Sequence, residues 1–154
     1  MPDAPDATFL AVPKQAAIDI TARLARRGAG GVVCYTAGFS EIGPAGQEAE
    51  TKLVNVAGEM ALLGPNCYGL INYHDQIALW PFAHGGTHPG FGAAVITQSG
   101  MLSSDLTMSQ RHLPLSYMVS VGNQASLRLE DFIDIFLEEP HVRAIGLHLS
   151  LIHI

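Results

Sequence analysis

The sequence is poor in charge and has no long apolar run. Charged residues make up 14% of the 154-residue chain, and acidic residues outnumber basic ones to give a net charge of −6. No basic run or patch of basic and aromatic residues occurs, so we do not expect a nucleic-acid partner. No apolar run approaches the roughly 20 residues that cross a bilayer, so we do not expect a membrane partner.

Cysteine is also scarce, and the N-terminus has no targeting pattern. The two cysteines, Cys34 and Cys67, are too few for a disulfide framework. Residues 1–6 lack the basic and apolar regions of a secretory signal peptide. We therefore expect a cytoplasmic protein with reduced thiols. The chain begins almost directly with a buried-looking strand and ends inside another, which suggests a segment of a longer protein.

Apolar residues make up 48% of the chain and fall into alternating strand and helix patterns. The predicted strands are residues 8–12, 31–36, 60–63, 93–97, 115–121 and 142–148. The predicted helices are residues 14–27, 45–59, 99 to about 112, and 129–138, the last with Phe132, Ile133, Phe136 and Leu137 facing inward. This order predicts an α/β fold with parallel strands and right-handed crossovers.

Two stretches depart from the alternation. Residues 67–92 hold two short extended pieces, 70–73 and 77–80, and then a loop rich in glycine, histidine and proline, which we interpret as the crossing between two domains. Residues 149–154 resemble the translation of a common sequencing adapter and are predicted to be a non-native tail. An ordinary apolar strand is the alternative for this tail.

Small or polar residues follow three consecutive predicted strands. They are Val12, Pro13 and Lys14; Thr36, Ala37 and Gly38; and Gly64, Pro65, Asn66 and Cys67. Ligands of doubly wound sheets bind outside the carboxyl ends of the strands, and small residues let a ligand approach the backbone. The pattern favours a nucleotide-like or phosphate-bearing ligand.

A fourth turn, Gln98-Ser99-Gly100, leads from a predicted strand into a predicted helix. The free amides and the dipole at such a helix start, worth about half an elementary charge, can bind a phosphate or carboxylate. The alternative is that Ser99 only caps the helix.

Other reactive residues have alternatives as well. Cys67 is either a nucleophile or, as we favour, a buried packing thiol, because no histidine or acid is paired with it in sequence. Lys14 either attracts a phosphate or is solvated at a helix start. No metal site is expected, because no metal-ligand spacing with cysteines or carboxylates occurs around the histidines at 74, 84, 88, 112, 141 and 148.

Four motifs together resemble the NDP-forming acyl-CoA synthetases, whose relatives include the succinyl-CoA synthetase alpha subunit. The motifs are Tyr35-Thr-Ala-Gly-Phe-Ser-Glu-Ile-Gly43, Leu63-Gly-Pro-Asn-Cys-Tyr-Gly-Leu-Ile71, Ile96-Thr-Gln-Ser-Gly100 and Val119-Ser-Val-Gly-Asn123. The resemblance implies half of a Rossmann-like CoA-binding domain at residues 1–66. It further implies the crossing at 67–92 and half of a flavodoxin-like domain, similar to succinyl-CoA synthetase, at 93–148.

The resemblance also implies site residues. CoA would lie near Val12, Pro13, Lys14, Thr36, Ala37 and Gly38, with its thiol end near Asn66 and Cys67. Ser99, Gly100 and Met101 would hold the phosphate of a phosphohistidine. The implied reaction joins a carboxylic acid to CoA with ATP, through an acyl phosphate and a phosphohistidine.

Parts of the family pattern fall outside this sequence. The phosphorylated histidine would lie beyond residue 148, and an orienting glutamate would fall where Ser150 stands. ATP or ADP and magnesium would bind to an ATP-grasp domain or subunit. We therefore expect the segment alone to be inactive. The alternative function is a CoA- or acyl-CoA-binding regulatory module, for example attached to a protein acetyltransferase. A dinucleotide-dependent oxidoreductase fits poorly, because no G-x-G-x-x-G follows the first strand.

Overall fold

A computed structural model of the chain describes residues 3–87, 89–109 and 113–150. The strands are β1 (Ala7–Leu10), β2 (Gly31–Cys34), β3 (Ala61–Leu63), β4 (Gly69–Asn72), β5 (Ile77–Leu79), β6 (Gly92–Thr97), β7 (Leu115–Ser120) and β8 (Val142–His148). The helices are α1 (Lys14–Arg26), α2 (Pro44–Ala57), α3 (Gly100–Thr107) and α4 (Leu129–Glu138), with a 3-10 turn at Ser40–Ile42. Within these ranges no helix is both long enough and apolar enough to cross a membrane.

The first sheet has the order β1-β2-β3 and is parallel throughout, as the sequence predicts. Helices α1 and α2 cover it with the apolar stripes that their 3.6-residue period produces. Ala17 of α1 and Leu53 of α2 are fully buried against Leu62 of β3. Because the three strands are parallel, their carboxyl ends lie at one edge of the sheet.

The second sheet has the order β5-β4-β7-β6-β8 and is mixed. β6 pairs in parallel with β7 and β8, as predicted, whereas β4 is antiparallel to both β7 and β5. The extended pieces 70–73 and 77–80 are thus a hairpin at the sheet edge. Antiparallel strands need only a tight turn, and Asn72 Oδ1 stabilises it by accepting the His74 and Asp75 amides at 2.9 and 3.1 Å.

The two sheets share a buried core. Val33 and Leu63 of the first sheet belong to one apolar cluster with Ile96 and Val119 of the second. The segment between β7 and α4 also hydrogen-bonds to the end of β3, through the amides of residues 125 and 127 and the carbonyls of residues 64 and 62 at 3.0 and 3.1 Å. This contact brings the strand ends of the two sheets to a common region.

Two predicted details differ from the structure. Helix α3 ends at Thr107 with Met108 as its C-cap, earlier than predicted, and the predicted end near residue 112 lies outside the described ranges. The prediction that Leu137 faces inward is wrong, because its side chain is 71% exposed. The buried stripe of α4 is centred on Phe132 and Phe136, and at about 100° per residue Leu137 falls roughly a third of a turn from that centre.

Candidate functional site

A cleft of about 360 Å³ lies at the carboxyl ends of β1 and β2. Its lining residues are Ala11, Val12, Pro13, Tyr35, Thr36, Ala37, Asn66 and Tyr68. The register that pairs Leu10 with Cys34 places the two loops after these strands side by side. Thr36 Oγ1 fixes them together by donating to the Val12 carbonyl at 2.6 Å. Five residues predicted to bind CoA thus line one cleft: Val12, Pro13, Thr36, Ala37 and Asn66.

Lys14 and Gly38 border this cleft and are absent from its lining. Lys14 is the first residue of α1, and its Nζ donates to the Gly38 carbonyl at 2.8 Å. The ammonium group, at the start of α1, is therefore held by a backbone carbonyl. It lies against the loop after β2, where it raises the positive charge beside the cleft.

Cys67 occupies a different environment from Asn66, although the two are neighbours in sequence. Its side chain is 1% exposed, and its Sγ donates to the carbonyls of Cys34 and Leu63 at 3.5 and 3.6 Å. Burial raises the pKa of the Cys67 thiol and raises that of Cys34 to about 11. Both cysteines are free, and the geometry is that of a packing thiol.

The start of α3 combines a cap with free amides. Ser99 Oγ accepts the Leu102 amide at 3.3 Å, and its carbonyl accepts the Ser103 amide at 3.3 Å, so the predicted capping role is present. The amides of Gly100 and Met101 precede these and have no acceptor in the described part of the chain. The Met101 side chain is 72% exposed. Ser99 can therefore cap the helix while the first two amides face a ligand.

Tyr68 connects the cleft with the start of α3, and sequence reasoning missed it. Its ring lines the cleft and packs so closely on Gly100 that a Cβ there would lie 2.8 Å from the ring. Only glycine permits this approach. The Tyr35 ring lies 5.9 Å away on one side. The position of Tyr68, directly after the Gly-Pro-Asn-Cys turn, was the signal available in the sequence.

A polar network around Asn123 joins the two sheets and was also missed. Asn123 Nδ2, with two hydrogens to donate, lies within hydrogen-bond distance of three acceptors: Glu41 Oε2 at 2.6 Å, Glu50 Oε2 at 2.9 Å and Ser40 Oγ at 3.1 Å. Its Oδ1 accepts from Asn66 Nδ2 at 3.2 Å. The network links the loop after β7 to the loop after β2, beside the cleft.

The charge of Glu41 is stabilised inside this network. Burial by itself would raise the pKa of the carboxyl group, but hydrogen bonds from Asn123 and from the amides of Gly38 and Phe39 outweigh burial and lower the pKa. Gly122 lets the Asn123 loop approach, because it has a φ of +58° and a Cβ there would lie 2.4 Å from the Pro65 carbonyl oxygen.

Comparison with known proteins finds similar sequences along almost the whole chain. Residues 91–153 match the family described as succinyl-CoA ligase like flavodoxin domain. A trans-feruloyl-CoA synthase from an unknown prokaryotic organism is 33% identical over 97% of the chain and 22% of its own length. The subunit alpha of an ADP-forming acetate–CoA ligase II of Pyrococcus furiosus is 30% identical over 97% of the chain and 33% of its own length.

Solved structures give the same result. The apo acetyl-coenzyme A synthetase 1 of Ca. Korarchaeum cryptofilum superposes with a TM-score of 0.85 at 29% identity, over 97% of this chain and 33% of that one. A crystal structure of a Pyrococcus horikoshii OT3 protein gives 0.88 at 30% identity, over 96% and 34%. The chain thus spans about a fifth to a third of the length of the relatives that it matches.

Proposed function

We propose that this chain is the CoA- and phosphate-binding part of an NDP-forming acyl-CoA synthetase. Residues 91–153 match the succinyl-CoA ligase like flavodoxin domain, and nearly all of the chain aligns with ADP-forming acetate–CoA ligases at 30% identity. One observation carries the proposal: the cleft at the strand ends and the free amides of α3 meet at the ring of Tyr68. A CoA site and a phosphate site that share one side chain suit a reaction in which the two ligands exchange an acyl group.

CoA lies in the cleft at the ends of β1 and β2. The small residues Pro13 and Ala37 let a ligand approach the backbone, and Thr36 holds the two loops together. Lys14 lies beside this cleft on the Gly38 carbonyl, where its charge suits a CoA phosphate. Asn66 lines the cleft and hydrogen-bonds to Asn123 of the loop after β7, which supports a position for the thiol end of CoA near Asn66.

The phosphoryl group lies at the start of α3. The amides of Gly100 and Met101 would donate to its oxygens, and the helix dipole adds favourable charge. Thr97 Oγ1 accepts the Ser99 amide at 2.9 Å, so the turn is fixed before a ligand arrives. Such fixed donors stabilise a phosphoryl group without covalent help from the protein.

The chemistry of the whole enzyme is a relay. A phosphohistidine phosphorylates the carboxylic acid, and CoA then takes the acyl group as inorganic phosphate leaves. The histidine, ATP or ADP, and magnesium belong to other parts of the enzyme. An ATP-grasp domain or subunit is the partner, consistent with the "subunit alpha" of the Pyrococcus furiosus relative.

The relatives are named for three different acids: acetate, 4-hydroxybutyrate and the trans-feruloyl group. The test is thioester formation by the full-length enzyme from ATP, CoA and a panel of carboxylic acids. We expect an activity that requires ATP and that falls strongly in Ser99→Asp, whose carboxylate would repel the phosphoryl group. CoA binding without thioester formation from any acid would instead support the regulatory module.

A matched variant separates charge from loss of the cap. Ser99→Asn keeps a capping side chain without adding charge, so it should retain most of the activity that Ser99→Asp loses. Equal losses in the two variants would contradict the phosphate site at α3.

A further inference from the structure

Four aromatic side chains form a connected group of ring contacts that begins in the cleft, which we call the aromatic wall: Tyr35, Tyr68, Trp80 and Phe82. Tyr35 and Tyr68 line the cleft itself. The Tyr68 ring is central, with its centroid 5.9 Å from Tyr35, 5.9 Å from Trp80 and 4.9 Å from Phe82. The Trp80 and Phe82 rings meet Tyr68 edge-on, at interplanar angles of 86° and 71°. Phe82 is 42% exposed, whereas Trp80 packs against the core of the second sheet, so the exposed end of the wall is at Phe82.

The backbone holds Tyr68 firmly. Its amide donates to Ser120 Oγ of β7 at 3.0 Å, and the next residue, Gly69, begins β4. A Cβ at Gly69 would lie 2.2 Å from the Leu79 carbonyl oxygen, so the hairpin strand β5 closes tightly on this point. Tyr68 is therefore anchored to the second sheet while its ring lines a cleft of the first.

The reaction fixes where the acyl group must lie. Acyl transfer forms a bond between the CoA sulfur and the acyl carbon, and breaks the bond between that carbon and a phosphate oxygen. The thiol proton leaves with the phosphate or to water. The acyl carbon must therefore lie between the cleft and the start of α3. Tyr68 lines the cleft and contacts Gly100, so the ring of Tyr68 borders this position.

On this basis, and resting on the proposed function, we propose that Tyr68 contacts the acyl group and that the aromatic wall makes the enzyme select carboxylic acids bearing a planar aromatic ring. Aromatic rings prefer edge-to-face or offset contacts with centroids about 4.5–7 Å apart, the spacing already present within the wall. Acetate offers one methyl group and cannot make such contacts.

The expected preference follows from these contacts. An aromatic pair adds about 0.5–1.5 kcal/mol beyond its buried area, which is about 2- to 13-fold in affinity. Burial of the apolar surface of the benzoyl ring increases the affinity further. Benzoyl-CoA should therefore bind at least about tenfold more tightly than acetyl-CoA.

The experiment is calorimetric titration of the full-length enzyme with CoA, acetyl-CoA and benzoyl-CoA. We expect all three to bind, with the tenfold preference for benzoyl-CoA. Tyr68→Ala should reduce the ratio of the two acyl-CoA affinities to about threefold or less, and Tyr68→Phe should keep it because the ring remains. Phe91→Ala removes an exposed ring that contacts Arg143 and not the wall, and it should leave the ratio unchanged.

The outcomes separate the two proposals. If CoA does not bind, the proposed function fails and the inference fails with it. If CoA binds but acetyl-CoA and benzoyl-CoA bind equally, or if Tyr68→Ala keeps the preference, the inference alone is wrong. If Tyr68→Ala does not fold, Phe82→Ala replaces it, because Phe82 is 42% exposed. Phe82→Ala should lower the ratio of the benzoyl-CoA and acetyl-CoA affinities, and an unchanged ratio would overturn the inference.

Discussion

Replacing Asn123 by alanine should weaken the contact between the two sheets. Asn123 Nδ2 donates to Glu41 and Glu50, and its Oδ1 accepts from Asn66. The substitution leaves two carboxylates and one amide without this partner, while the Asn123 backbone amide can still donate to the Pro65 carbonyl at 2.9 Å. The loss is therefore one of side-chain hydrogen bonds and not of the loop itself.

The magnitude follows from charge and exposure. A hydrogen bond to a charged group contributes about 1.5–3 kcal/mol to stability, but solvent screens the exposed Glu41 carboxylate and reduces its share. Counting the Glu50 bond fully and the Glu41 bond weakly, we expect the free energy of unfolding to fall by about 2 kcal/mol. At a urea dependence of about 2 kcal/mol per M, the midpoint should fall by about 1 M.

Urea unfolding followed by fluorescence measures this directly, because Trp80 is the single tryptophan of the chain. Asn55→Ala is the matched control, since Asn55 lies on the exposed surface of α2, and alanine favours a helix there. Its midpoint should stay the same or rise. A change of less than about 0.5 kcal/mol in Asn123→Ala would refute the view that this network fastens the sheets together.

Three further predictions concern neighbouring residues. Gly100→Ala should lower the free energy of unfolding by about 1–3 kcal/mol in the same urea assay, because its Cβ would lie 2.8 Å from the Tyr68 ring; a neutral effect would contradict the close packing. Both cysteines should resist a thiol reagent at pH 8 in the folded protein and react fully in urea, since burial raises the pKa of both thiols. Rapid labelling without urea would contradict the burial of the thiols. Glu41→Gln should be less stable than the parent by a constant margin above about pH 5. This margin should narrow on acidification, because hydrogen bonds hold the folded pKa of Glu41 below its ordinary value of 4.5; a margin that grows towards low pH would reverse the sign.

Local patterns predicted most of the fold because they reflect local causes. Two sequence patterns are informative: apolar runs that end at proline or glycine, and apolar residues that repeat every 3.6 positions. They predicted α1, α2, α4 and the neighbouring strands to within a few residues. The hairpin of β4 and β5 was found only as two extended pieces. Its antiparallel pairing with β7 depends on contacts between residues about 50 positions apart, as in the Leu70–Val119 pair, which no local pattern encodes.

The candidate site was also predicted only in part, and the part predicted again has local causes. Strand-end residues such as Val12 and Thr36 lie where parallel topology places them, and they do line one cleft. Asn123 and Tyr68 were missed because their roles depend on partners in the other sheet; Asn123 bonds to Glu50 across 73 positions of sequence. Cys67 shows the opposite case, since it belongs to a predicted site motif but its thiol lies in the core.

The central claim is that CoA occupies the cleft at the ends of β1 and β2, and filling that cleft tests it most directly. Ala37 is an exposed lining residue, so Ala37→Trp should block the cleft without disturbing the core. Ala144→Trp, at an exposed position of β8, is the control for adding a tryptophan. In calorimetric titration of the full-length enzyme, CoA should bind to the parent and to Ala144→Trp with the same affinity. Ala37→Trp should bind CoA at least about tenfold more weakly, a loss of about 1.4 kcal/mol. Unchanged CoA affinity in a folded Ala37→Trp would contradict the account.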